Sequence, residues 1–110
     1  MPTEPATTDE ALAFACSCND DASYEPLYRR YYNPIGYYIK RNSIYKDPSF
    51  IDDTREIIFL KVLSLIKQGK FQPKFPGSFK KYLFETAQRV TFDENRARLK
   101  FVRPISEVFT

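Results

Sequence analysis

The run from Phe50 to Gln68, Phe-Ile-Asp-Asp-Thr-Arg-Glu-Ile-Ile-Phe-Leu-Lys-Val-Leu-Ser-Leu-Ile-Lys-Gln, decides the fold. Ile57, Ile58, Phe59, Leu60, Val62, Leu63, Leu65 and Ile66 give it an apolar stripe wide enough for a helix packed on nearly all sides. Gly69 follows as a stop. Ser49, with Asp52 three residues on, reads as its cap after a Lys46-Asp47-Pro48 loop. A helix of this kind needs other helices around it, and the rest of the chain supplies them.

Upstream, Leu27, Tyr28, Tyr31, Tyr32, Ile35, Tyr38 and Ile39 recur at three- and four-residue spacing, the period of an amphipathic helix. That helix starts near Asp21 or Ser23, tolerates Pro26 in its first turn, and is expected to kink at Asn33-Pro34. Gly36 lowers its propensity and offers room for a close neighbour. Before it, a Thr7–Glu10 capping box opens a short helix over about 8–18, broken by Asn19-Asp20-Asp21. Residues 1–7 read as a frayed segment. Downstream, residues 69–78 form a loop with two prolines and two glycines. Ser78 then caps a last helix with Phe79, Leu83, Thr86, Ala87 and Val90 on one face. It is expected to end near Lys100, with 101–110 as the start of a linker. Nothing reads as a strand pair, so the expectation is an all-α orthogonal bundle of about four helices over residues 8–100.

Composition narrows the function. The 110 residues, 43% hydrophobic and 28% charged at net charge +3, fit one folded domain and not a disordered tail. No apolar run approaches the roughly 20 residues of a membrane helix, and the start has no secretory signal, so a cytoplasmic location is expected and no membrane partner. There is no histidine, which removes the commonest general base and metal ligand. Cys16 and Cys18 lack the further ligands of a zinc site and read as two small, half-buried thiols. With three glycines in all, no phosphate-cradling loop exists. The expectation is a non-enzymatic domain without cofactor or metal.

Charge points to a partner. Residues 1–27 carry six acids and no Lys or Arg, whereas residues 61–103 carry eleven basic side chains against three acidic ones. A basic half with interleaved aromatics is the electrostatic footprint of nucleic-acid binding. The acidic start reads as a solubilising segment.

Four segments in order carry a family resemblance: Leu27-Tyr28-Arg29-Arg30-Tyr31-Tyr32-Asn33-Pro34-Ile35; the acid-led Asp52-Asp53-Thr54-Arg55-Glu56-Ile57-Ile58-Phe59-Leu60; Gly77-Ser78-Phe79-Lys80-Lys81-Tyr82-Leu83-Phe84; and Thr86-Ala87-Gln88-Arg89-Val90-Thr91-Phe92-Asp93, ending with Arg96 and Arg98. Over roughly residues 9–100 the chain resembles region two of bacterial sigma-70-type factors, in particular the extracytoplasmic-function group. The resemblance implies a bacterial transcription initiation domain. Asp52, Asp53, Arg55, Glu56 and Phe59 would meet the clamp helices of the largest subunit of core RNA polymerase. The loop and last helix would hold the non-template strand of the minus-ten promoter element. Phe71, Phe75, Tyr82, Phe84 and Phe92 are then the stacking candidates. Lys70, Lys74, Lys80, Lys81, Arg89, Arg96, Arg98 and Lys100 are the phosphate candidates, and Ser78 and Gln88 complete the set. Phe79 is expected in the core and Phe92 outside it, with Phe75 and Phe84 open between the two.

The chain departs from the family where Tyr82 replaces Trp, Arg89 replaces Asn and Gln88 replaces Arg. Asn both donates to and accepts from a base edge, whereas Arg only donates, so base selection is altered there. In the acid-led helix, Thr54, Arg55, Glu56 and Ile57 stand for Leu, Val, Gln and Glu. The family's second, helix-turn-helix domain is not in the sequence. An anti-sigma factor is a further partner the resemblance implies. The departures leave an alternative reading, a degenerate sigma-like domain that sequesters such a factor.

Overall fold

The computed structural model describes residues 7–108, with side chains described as far as Lys100. Four helices build an all-α bundle: α1 Asp9–Ser17, α2 Tyr24–Asn42, α3 Pro48–Lys67 and α4 Ser78–Val108, with a 3-10 turn at Asp21–Ser23. No strand occurs among the described residues. None of the helices, over those residues, is long and apolar enough to cross a membrane.

The core forms where the apolar stripes meet. Leu27, Ile35 and Ile39 of α2, Ile58, Val62 and Ile66 of α3, and Phe79, Leu83 and Ala87 of α4 are fully buried, with Cys16 of α1 among them. α3 packs against each of the other three helices, as its wide stripe requires. Its wrapping is incomplete, however: Leu60 is 62% and Ile57 37% exposed. Cys18 is exposed while Cys16 is buried, so only one of the two thiols is a core side chain.

The helix ends differ from the sequence expectation in instructive ways. Asp47 is the N-cap of α3, accepting from the Phe50 N–H at 3.2 Å, and Pro48 takes the first helical position, where it loses no hydrogen bond. The Ser49 hydroxyl donates to the same carboxylate at 2.9 Å and, ahead of the other contacts, holds Asp47 below the usual carboxylate range. Gly69 ends α3 with φ 75°, and the Lys70 N–H reaches back to the Leu65 carbonyl at 2.9 Å. Asn19 does the same for α1 with φ 72°, a conformation that Asn tolerates. α2 runs unbroken through Pro34, which stands on its exposed side. α4 continues as helix to Val108, past its expected end near Lys100, so residues 101–108 are helical. Residues 1–6, most of the segment expected to fray, and residues 109–110 lie outside the described residues.

The acidic start holds the bundle together. Thr8, not Thr7, caps α1, accepting from the Ala11 N–H at 3.1 Å. Asp9 accepts from Arg30 at 2.6 Å and from the Tyr31 hydroxyl, and burial, with that bond, pushes the Tyr31 phenol up. Glu10, expected to close the α1 capping box, instead accepts from the Phe79 N–H of α4 at 2.8 Å. It thus satisfies an N–H of α4's first turn, one of the donors a helix start leaves without an internal partner, and places a negative charge at the positive end of the helix dipole. The Ser78 hydroxyl accepts from the Lys74 N–H at 3.3 Å and so closes the loop, leaving the capping of Phe79 to Glu10. Glu10→Ala is therefore expected to cost about 1–2 kcal/mol and to lower the thermal midpoint by roughly 5–10 °C. An unchanged melting curve would remove Glu10 from the cap of α4.

Candidate functional site

On α3, Asp53, Ile57, Leu60 and Ser64 recur at three- and four-residue spacing and are exposed, with the exposed Glu56 and Lys61 beside them, and together they mark the face turned to solvent. The result is a stripe with two carboxylates toward its N-terminal end and two aliphatic side chains beside them. Of the residues assigned to polymerase by resemblance, the structure keeps Asp52, Asp53 and Glu56 on the surface. It withdraws Phe59 and Arg55. Phe59 is 2% exposed, with Tyr28 at 4.7 Å and Tyr24 edge-on at 6.5 Å, because its position falls on the core side of the helix. Arg55 is buried, with its guanidinium 3.9 Å over the Tyr32 ring and 3.0 Å from Asp52. Glu56 accepts from the Tyr28 hydroxyl at 2.7 Å, and this bond pushes Tyr28 up to about 12.

Arg55 explains Gly36. A Cβ there would meet Nη2 of Arg55 at 2.5 Å, so the glycine admits the guanidinium against α2. In an open helix, Gly→Ala gains about 1 kcal/mol. Here that gain should be offset, because the guanidinium must shift: Gly36→Ala gains less in the native chain than the roughly 1 kcal/mol it gains in an Arg55→Ala background. Urea melts of the four proteins in this cycle test the point, and an equal gain in both backgrounds would disprove the clash.

The sequence-assigned DNA set divides over two faces. Around the loop, Lys70, Lys74, Lys81, Tyr82 and Glu85 line a cleft of about 220 Å³ with the edge of Phe71. Phe71 itself is 6% exposed, packed at 4.9 Å on Tyr82 and 5.8 Å from Phe79, so its ring is core and leaves the stacking set. Ser78 is buried as the loop's closing bond and leaves the set too. Phe75, by contrast, is 52% exposed at the loop tip. Tyr82 is half-buried; burial pushes its phenol up, and the charge of Arg89 acts against that shift. Lys70, Lys74, Lys80 and Arg89 are exposed and have no carboxylate partner among the described residues, while Lys81 lies 3.8 Å from Glu85.

Farther along α4, Gln88, Phe92, Arg96 and Lys100 are exposed, and the Arg96 guanidinium stands 5.7 Å from the Phe92 ring centre. Phe84 is half-buried, edge-on to Tyr31 and Tyr38. Arg98 is committed elsewhere: it bonds Asp47 at 3.0 Å and stacks on Tyr45 at 4.4 Å, fastening α4 to the cap of α3. It therefore leaves the phosphate set. Asn95, which the sequence reading passed over, ties α4 to the end of α2, accepting from the Ile44 N–H at 3.0 Å and the Ser43 hydroxyl at 3.2 Å. Ile57 and Leu60 were missed as surface residues, although Asp53 and Ser64, at helical spacing on either side of them, already trace the face that contains them.

Among the described residues no group of His, Cys, Asp or Glu is placed to hold a metal ion. Comparison with known family models, with curated proteins and with solved structures yields no match.

Proposed function

We propose that this domain is a sigma region-two-like initiation module, docking core RNA polymerase with the exposed stripe of α3 and holding the opened minus-ten strand with the 69–78 loop and α4. The observation that carries the reading is the lysine-rimmed cleft at the loop. Three lysines, a half-buried tyrosine and Glu85 line a space of about 220 Å³, and the exposed Phe75 belongs to the same loop. Cations take phosphates without reading sequence, and aromatic faces take unstacked bases. The acid-and-aliphatic stripe of α3 lies on a separate surface and is suited to a protein partner, its carboxylates steering approach and its aliphatic side chains supplying contact.

Binding to a single-stranded minus-ten oligonucleotide should fall steeply with salt. If Lys70, Lys74, Lys80 and Lys81 each displace a counterion, log K against log salt has a slope of about −3. Titration by fluorescence anisotropy at several salt concentrations measures it, beside a pull-down of core RNA polymerase. A flat salt response removes the lysines from the site. Failure to bind either the strand or the polymerase overturns the whole reading and favours a module that sequesters an anti-sigma factor.

A further inference from the structure

Two more clefts lie along the seam between α2 and α4. One, of about 390 Å³, is bounded by Phe92, Gln88 and Thr91 of α4 and by Ile44. The other, of about 460 Å³, is bounded by Tyr37 and Arg41 of α2 and by Phe84 of α4. Tyr38 and Asn42 line both, so the two are neighbours along one groove. On α4 the lining residues Phe84, Gln88, Thr91, Phe92, Asn95 and Leu99 recur at the three- and four-residue spacing of one helix face.

The chemistry of this groove sets it apart. No carboxylate lines either cleft, and each has an arginine, Arg96 in the first and Arg41 in the second. The loop cleft contains Glu85, and two further clefts contain Asp52 in one case and Asp47, Asp53 and Glu94 in the other. The seam also presents open aromatic rings, Tyr37 at 68% and Phe92 at 61% exposure. Thr91, only 2% exposed, has a hydroxyl with no partner among the described residues. An anionic ligand that also carries flat rings and hydrogen-bonding edges matches all of this at once.

We infer that the α2–α4 seam is a track for two consecutive unpaired nucleotides of a single strand. One base stacks on Phe92, with its edge toward Gln88 and Thr91. The next lies in the Tyr37–Phe84 cleft, and Arg41 and Arg96 take the phosphates. Asn95 holds the groove open by fixing the end of α2 to α4. This rests on the nucleic-acid part of the reading above but needs neither polymerase nor the minus-ten sequence, and it makes α2 a wall of the site.

The test uses a labelled thymidine oligonucleotide and three variants of the whole chain. The chain has no tryptophan, so Phe92→Trp places a single reporter in the groove. Binding of the oligonucleotide should quench its emission. Phe92→Ala should weaken single-strand binding about fivefold or more, and Arg41→Glu should weaken it and flatten the salt slope by about one phosphate or more. Both side chains are exposed, and unchanged circular dichroism checks the fold. Native affinity in Phe92→Ala and Arg41→Glu, with no quenching of the tryptophan, overturns the seam. If Lys74→Glu then still weakens binding, the loop cleft survives as the DNA site without it. Absence of any single-strand binding by the native chain overturns both. Quenching and competition by an amphipathic helical peptide, with none by the oligonucleotide, would reassign the groove to a protein partner and likewise overturn the proposal.

Discussion

On the proposed function, Leu60→Asp is expected to weaken association with core RNA polymerase by about thirtyfold or more, the loss typical of an interface hot spot. Leu60 is the most exposed aliphatic side chain on α3, with Ile57 beside it and Asp53 and Glu56 toward the N-terminal end of the stripe. An aliphatic side chain that contributes nothing to the core gives its contact energy to whatever covers it. A carboxylate at that point would be desolvated beneath the partner without a counter-charge. Because the position is already wet, the change should leave the helical circular dichroism and most of the stability intact. Asp53→Lys should behave differently: a rim charge alters the association rate and its salt dependence more than the lifetime of the complex. Surface plasmon resonance of both variants against core polymerase separates the two effects. An unchanged dissociation rate for Leu60→Asp would take the α3 stripe out of the interface.

Phe79→Ala is expected to cost about 3–5 kcal/mol, a large share of the 5–15 kcal/mol that holds a domain of this size together. The ring is fully buried in the first turn of α4, with Phe71 edge-on at 5.8 Å and Tyr31 at 6.0 Å. Its own N–H is the donor to Glu10. Removing the ring therefore loosens the loop, α2 and the tie to α1 together. Phe75→Ala, four residues earlier and half exposed, should change stability by no more than about 0.5 kcal/mol. Urea unfolding with a common slope compares them. Equal midpoints for the two variants would contradict the placement of both rings.

Much of this fold is legible in periodicity. The spacing of Leu27, Ile35 and Ile39, and of Phe79, Leu83 and Ala87, puts each set on one face, and each set is buried. Periodicity fails where the apolar stripe is too wide to have an inside. Over residues 57–66 nearly every position is hydrophobic, so Phe59 and Leu60 look alike in sequence, yet one is core and the other surface. The alternation of polar neighbours settles that question, and composition does not. Arg55 shows the converse: a charged residue is buried because Gly36, nineteen positions earlier, leaves room for it and Tyr32 offers a face to stack on. Such partners are set by tertiary packing, and nothing local announces them. The same holds for Arg98, which a basic run presents as a phosphate ligand and which the structure gives to Asp47. The groove walls on α2 were invisible for a related reason: Tyr38 and Asn42 belong to a site only once α4 is laid beside them.

The bond from Glu10 to Phe79 spans 69 positions of sequence, and this sets when the chain can fold during its own synthesis. α1 has nine residues, shorter than the roughly 12–15 at which an isolated helix becomes even marginal in water. It leaves the ribosome before the other three helices and can meet Arg30 and Tyr31 of α2 early, but its tie to α4 forms only when the opening turn of α4 emerges. Until then the apolar faces of α2 and α3 lack their third partner, and the nascent chain carries uncovered hydrophobic surface of the kind chaperones hold. The bundle is therefore closed late, with α1 waiting for α4 to complete its ties.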